Sequence, residues 1–98
     1  MVFQYNKINK SYKLYVGHNN ETEEKFEESY IASLVGKFFD SFSIYACRGY
    51  YKGTPEESYK IEIITHDEDK VDKLKNYLAK VLLQESVLKV SDFQKVEF

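Results

Sequence analysis

The order in which two periodicities alternate along the chain constrains its fold more than any other feature. Apolar residues recur twice at helical spacing and several times with the period of two that marks a half-buried strand. In SYKLYVG (11–17), Tyr12, Leu14 and Val16 alternate with Lys13 and Tyr15. From Asn20 the spacing changes. Asn20 and Glu23 stand as a capping box, and Phe26, Tyr30, Leu34 and Phe38, flanked by Ile31 and Val35, form a wide apolar stripe that Asp40-Ser41 closes. FSIYAC (42–47) alternates again, with Phe42, Ile44 and Ala46 inward. Gly49 predicts a bulge or kink, and Gly53-Thr54-Pro55-Glu56 a turn. SYKIEIIT (58–65) is a third strand with Tyr59, Ile61 and Ile63 on one face. Thr65 to Glu68 reads as a second capping box, opening a helix that runs to about Leu83 and carries Val71, Leu74, Leu78, Val81 and Leu82. SVLKV (86–90) is a fourth strand, and residues 93–98 either extend it past a bulge or fold back as a short fifth.

The resulting order, β-α-β-β-α-β, predicts an α+β ferredoxin-like sandwich: an antiparallel sheet with two helices on one face. Right-handed crossovers are expected to place strand one beside strand three at the centre of the sheet, as parallel neighbours. With 98 residues there is room for one core. Residues 1–10, which show no sustained period, read as an N-terminal arm, and residues 11–98 as a single domain.

Fourteen basic against sixteen acidic residues give a net charge of -2. That balance excludes a strongly cationic nucleic-acid binder and any general attraction to anionic membranes. No apolar run reaches the roughly 18–20 residues needed to span a bilayer. The start MVFQYNKINK lacks an apolar h-region, so a cytoplasmic setting is expected. Cys47 is the single cysteine, which excludes an intramolecular disulfide and a multi-cysteine zinc site. Nine Tyr and seven Phe stand beside no Trp, and Arg48 is the only Arg. An AT-rich genome produces such a bias. Its physical consequence holds whatever the origin, because Tyr offers a flat apolar ring with a polar tip, suited to interfaces.

Several short motifs carry a family resemblance. Gln84 to Val90 (QESVLKV) with Val96 to Phe98 (VEF), Leu14-Tyr15-Val16-Gly17, Gly49-Tyr50-Tyr51-Lys52-Gly53 and Glu57-Ser58 together resemble a family of small bacterial proteins classed as a domain of unknown function. The resemblance spans residues 12–98. The family usually has Trp where Tyr51 stands and Arg where Lys52 stands, and has no counterpart to His18. Many of its members are exported. The resemblance implies support for the fold and brings no activity with it.

Three groups of residues could carry chemistry or binding. His18 follows strand one and His66 follows strand three. If those strands are parallel neighbours, the two imidazoles with Asp67 could hold a divalent metal; no cofactor is otherwise expected. The alternative is two exposed loop histidines beside ordinary capping groups. The acidic residues that open both helices read as dipole-complementing charge, and they argue against an anion there. Arg48, Tyr50, Tyr51 and Lys52 place two cations and two aromatics on one hairpin. That set could grip a nucleotide-like anion or an acidic protein patch, or simply form cross-strand pairs. On the sheet face away from the helices, Tyr15, Tyr45, Cys47, Ile64 and Val87 mix with Lys13, Ser43, Lys60, Glu62 and Lys89. That face is too apolar for a fully wet sheet: it could stack bases or be covered by residues 1–10, but the leading expectation is that Tyr15, Tyr45, Ile64 and Val87 bury against a second copy.

The expectation is a non-enzymatic binding protein acting as a homodimer or higher oligomer. Its further partner would be a protein or a small anionic ligand, with no membrane and no nucleic acid. Such a chain would suit a phage or mobile-element accessory or counter-defence factor. The alternative is a small metal-assisted hydrolase using His18 and His66.

Overall fold

A computed structural model describes residues 9–17, 26–84 and 87–92. The elements follow in the order β1 (Lys10–Val16), α1 (Glu28–Val35), β2 (Ser43–Tyr51), β3 (Thr54–Thr65), α2 (Glu68–Val81) and β4 (Leu88–Asp92). The strands form one four-stranded sheet in the order β2-β3-β1-β4, and every neighbouring pair is antiparallel. The fold is α+β, with an open antiparallel sheet and two helices.

β1 and β3 are central neighbours, but they do not run parallel as expected. Lys10 lies across from Thr65 and Val16 across from Tyr59. The hairpin explains the reversal. β2 and β3 are joined by two residues, so β3 must run against β2. The crossover through α1 leaves β2 running in the direction of β1, and β3 therefore opposes both.

The hairpin is longer than the sequence pattern predicts. Pairing runs one to one from Ser43 with Glu62 to Tyr51 with Thr54, with no bulge at Gly49. The turn is Lys52-Gly53 rather than Gly53 to Glu56, with φ of 51° at Lys52 and 79° at Gly53. Two left-handed residues in a two-residue loop match the right-handed twist of the strands they join. Pro55 is a strand residue opposite Tyr50. The closing pair Tyr51–Thr54 exchanges both hydrogen bonds in such a loop, so the next pair is non-hydrogen-bonded and Pro55 forfeits no ladder bond.

The core lies between the helices and one face of the sheet. Leu14, Val16, Ile61, Ile63, Ile31, Val35, Val71, Leu74 and Leu78 are fully buried, and Leu34 nearly so. Phe38, Ile44 and Val81, also expected inside, are partly buried against that cluster. α1 begins at Glu28, and the Asn20–Glu23 capping box lies outside the described residues. At α2 the cap is Asp67, whose side chain accepts from the Lys70 N–H at 3.1 Å. Thr65, expected to cap, accepts from the Asp67 N–H instead. Among the described residues no helix is long and apolar enough to cross a membrane.

Candidate functional site

Strand alternation puts every second residue on the sheet face that the helices leave open. Register then sorts those residues into rows. Tyr45, Lys60, Tyr15 and Leu88 stand directly across from one another on all four strands. Beside them runs a second row of Ser43, Glu62, Lys13 and Val90. Ile64 opens a third row opposite Ser11. The Lys60 ammonium sits 4.6 Å from the centre of the Tyr45 ring, a cation–π contact between neighbouring strands. Tyr45, Ile64, Leu88 and Val90 remain 40–60% exposed. Leu88 and Val90 lie on β4 beside Tyr15, while Lys60, Glu62 and Lys13 stand between them and Tyr45 and Ile64, so the face alternates apolar and charged groups.

Three of the four residues expected on this face are there: Tyr15, Tyr45 and Ile64. Val87 is not. It is 5% exposed and belongs to the core. Lys89, also placed on the open face by the sequence, points to the helices, where its ammonium bonds Glu68 and Asp72 of α2. Both corrections share one cause. β4 begins at Leu88, and a one-residue change of register exchanges the two faces of a strand. Leu88 and Val90 are the residues missed. The signal was available in the spacing of Glu68 and Asp72, four apart on α2, which offers a lysine two carboxylates on the helix side.

His18 lies outside the described residues. His66 follows β3, just beyond the pair that Thr65 makes with Lys10. His66 and Asp67 are exposed in the turn before α2. Among the described residues no three His, Cys, Asp or Glu side chains are grouped to hold a metal ion.

The hairpin tip divides its candidate residues. Arg48 and Tyr50 share one face of β2, Lys52 sits in the turn, and Tyr51 pairs with Thr54 through the backbone. Glu57 stands directly across from Arg48. An opposite charge in that position serves the hairpin and offsets the cation that an anionic ligand would need. Cys47 is half-buried, with its Sγ 3.2 Å from the Ser58 Oγ.

Where the hairpin overhangs the end of β1, a cleft of about 390 Å3 opens between Tyr15, Gly49, Tyr50, Glu56 and Leu88. Gly17 shapes it: a Cβ there would collide with the Glu56 carboxylate, so glycine lets that side chain lie across the strand end. No protein-family model matches this chain, and no curated protein matches it either.

Proposed function

We propose that the chain is a ferredoxin-like, non-catalytic binding module that works as a homo-oligomer and buries its open sheet face against a second copy. The fold reading is supported by the β-α-β-β-α-β order of elements together with the strand order β2-β3-β1-β4. The functional reading is carried by one observation, the Tyr45–Lys60–Tyr15–Leu88 row with Val90 and Ile64 beside it. Apolar surface left in water on a small domain is stabilising when a partner covers it, at roughly 25 cal/mol per Å2. The charges on the face also suit a twin. Glu62 is flanked by Lys60 along its strand and Lys13 across it, so each copy presents both signs to the other.

A nucleotide-like anion at the hairpin is disfavoured by Glu57 opposite Arg48. The hydrolase reading on His18 and His66 drew on β1 and β3 running parallel, whereas the two strands pair antiparallel.

Sedimentation velocity tests the reading. The unaltered chain should sediment above monomer mass at micromolar concentrations, and Leu88→Asp should lower that mass. Leu88 is 60% exposed, so the substitution leaves the fold intact. A monomer at high micromolar concentration for the unaltered chain would overturn the proposal.

A further inference from the structure

We infer that β2 is a self-pairing edge: two copies join antiparallel through their β2 strands in the register that sets Cys47 opposite Cys47, and extend the sheet across the pair. The inference stands apart from the open-face reading, because it uses the rim of the sheet and not its surface.

The molecule treats its exposed strand edges differently. β3 overhangs the end of β1 from Thr54 to Ser58, and its outward positions there are Pro55 and Glu57. A proline without an N–H and a charged residue are standard means of preventing an edge from pairing. β4, at the far rim, is only five residues long. β2 is guarded less than either, by a single outward charge. It runs for nine residues without a bulge or a proline, and Arg48 is its only charge. Among the described residues no strand pairs with its outer side. Ser43, Tyr45, Ala46, Arg48, Gly49 and Tyr50 are all exposed. A Cβ built on Gly49 would meet nothing within 4 Å.

The hairpin dictates which backbone groups face out. Tyr51–Thr54 is a hydrogen-bonded pair, so alternation makes Gly49, Cys47, Tyr45 and Ser43 bonded to β3 as well. The N–H and C=O groups of Ile44, Ala46, Arg48 and Tyr50 therefore point away from the sheet.

Only one antiparallel register pairs all nine residues of the strand with a copy of itself, and its two-fold axis passes through Cys47. In that register Ala46 bonds Arg48 of the second copy, and Ile44 bonds Tyr50, a β-branched residue against an aromatic. Tyr45 faces Gly49, whose missing side chain leaves room for the ring. Sliding two residues toward the hairpin tip would set Arg48 against Arg48, two like charges directly opposed. Sliding the other way strands the tip residues without partners. Each strand is thus complementary to its own reverse in one alignment, and the occupant best matched to the edge is a second copy of this chain.

In that alignment Cys47 faces Cys47 in a non-hydrogen-bonded pair, with Cα atoms about 4.5 Å apart. That spacing is within disulfide range. Oxidation with diamide then reads out the geometry. Two thiols become one S–S bond, and the two protons and two electrons pass to the diamide. The unaltered chain should give a reducible band at twice its 11.6 kDa mass on a non-reducing gel. Leu88→Asp, at the far rim, should leave that band unchanged even where it abolishes open-face association. Ala46→Pro removes an outward N–H and no bond to β3, and should abolish the band. Moving the thiol two residues along the same face of β2, with Tyr45→Cys in a Cys47→Ser background, should also abolish it, since residue 45 faces Gly49.

A band of equal intensity in the Tyr45→Cys variant would reveal collisional cross-linking and overturn the inference. A readout that needs no variant guards against misfolding. In the unaltered chain, the Ala46 and Arg48 amides should exchange with deuterium more slowly as concentration rises. Exchange at the rate of open amides at every concentration would overturn the inference as well.

Discussion

The Lys89 ammonium lies 2.9 Å from a carboxylate oxygen of Glu68, binding the edge strand β4 to the first turn of α2. Asp72, one helical turn further on, takes the same ammonium. This contact commits Lys89 to the helix side of the sheet, and Leu88 and Val90 must then face outward. A charged contact in the helix layer therefore decides the composition of the opposite, apolar surface.

The same group makes the fold sensitive to alkali. Hydrogen bonds to Asp72 and then Glu68 raise the Lys89 pKa above its ordinary value of 10.5. Burial, followed by the nearby Glu68 carboxylate, raises the Tyr12 hydroxyl above its ordinary 10.0. A pKa raised in the folded state contributes stability that is complete below the unfolded value and is lost as pH climbs through the folded one. Urea midpoints should therefore hold steady below about pH 10 and fall above it. Because all three side chains of the ion pairs are partly exposed, Lys89→Met should cost no more than about 1 kcal/mol per pair at neutral pH. The alkaline limb of that variant should be shallower than the parent's, and an equally steep limb would show that Lys89 plays no part.

Neighbouring residues of β4 should respond in opposite ways to one substitution. Val87 is 5% exposed and Leu88 60%. Val87→Asp buries an unpaired carboxylate and should cost more than about 3 kcal/mol. Leu88→Asp should change stability by less than about 1 kcal/mol. Chemical denaturation of the two variants checks the register directly, and the reverse ranking would put Val87 back on the open face.

The hairpin turn offers a gain and a loss one residue apart. Lys52 holds a left-handed φ of 51°, which a lysine adopts at a cost. Lys52→Asn restores the residue pair that this turn favours and should add about 0.5–1 kcal/mol. Gly53→Ala, at a φ of 79°, should remove about 1 kcal/mol or more. Thermal melts of both variants measure the difference. Opposite signs are expected, and a neutral Gly53→Ala would exclude the two-residue turn.

The periods of the sequence carried the elements and most of the core because burial writes itself directly into spacing. Leu14, Val16, Ile61, Ile63, Leu74 and Leu78 were all legible that way. Strand direction was not, because alternation reads the same from either end of a strand. The expected meeting of His18 and His66 rested on a parallel pairing that β1 and β3 do not make, and His18 itself lies outside the described residues. The start of β4 was ambiguous for a related reason. Val87 and Leu88 are adjacent apolar residues, and only the carboxylates on α2, far away in sequence, settle which one turns inward. The hairpin tip misled because Pro55 is a turn residue by habit, whereas a strand edge accommodates it equally well. On the open face, Tyr15, Tyr45 and Ile64 were readable since they alternate with core residues inside long strands.

The central position of β1 has a consequence for how the chain is made. β1 leaves the ribosome before every other described element, yet its two partners are β3 and β4. The β2–β3 hairpin closes locally, on a microsecond scale, as soon as its own residues have emerged. β1 must wait for that hairpin, and then for the last strand, with Tyr12, Leu14 and Val16 in water throughout. The nascent chain therefore carries an unsheltered apolar strand until the hairpin, complete only at Thr65, has been made. That interval, more than the finished fold, is when the protein is most vulnerable to aggregation and to proteolysis.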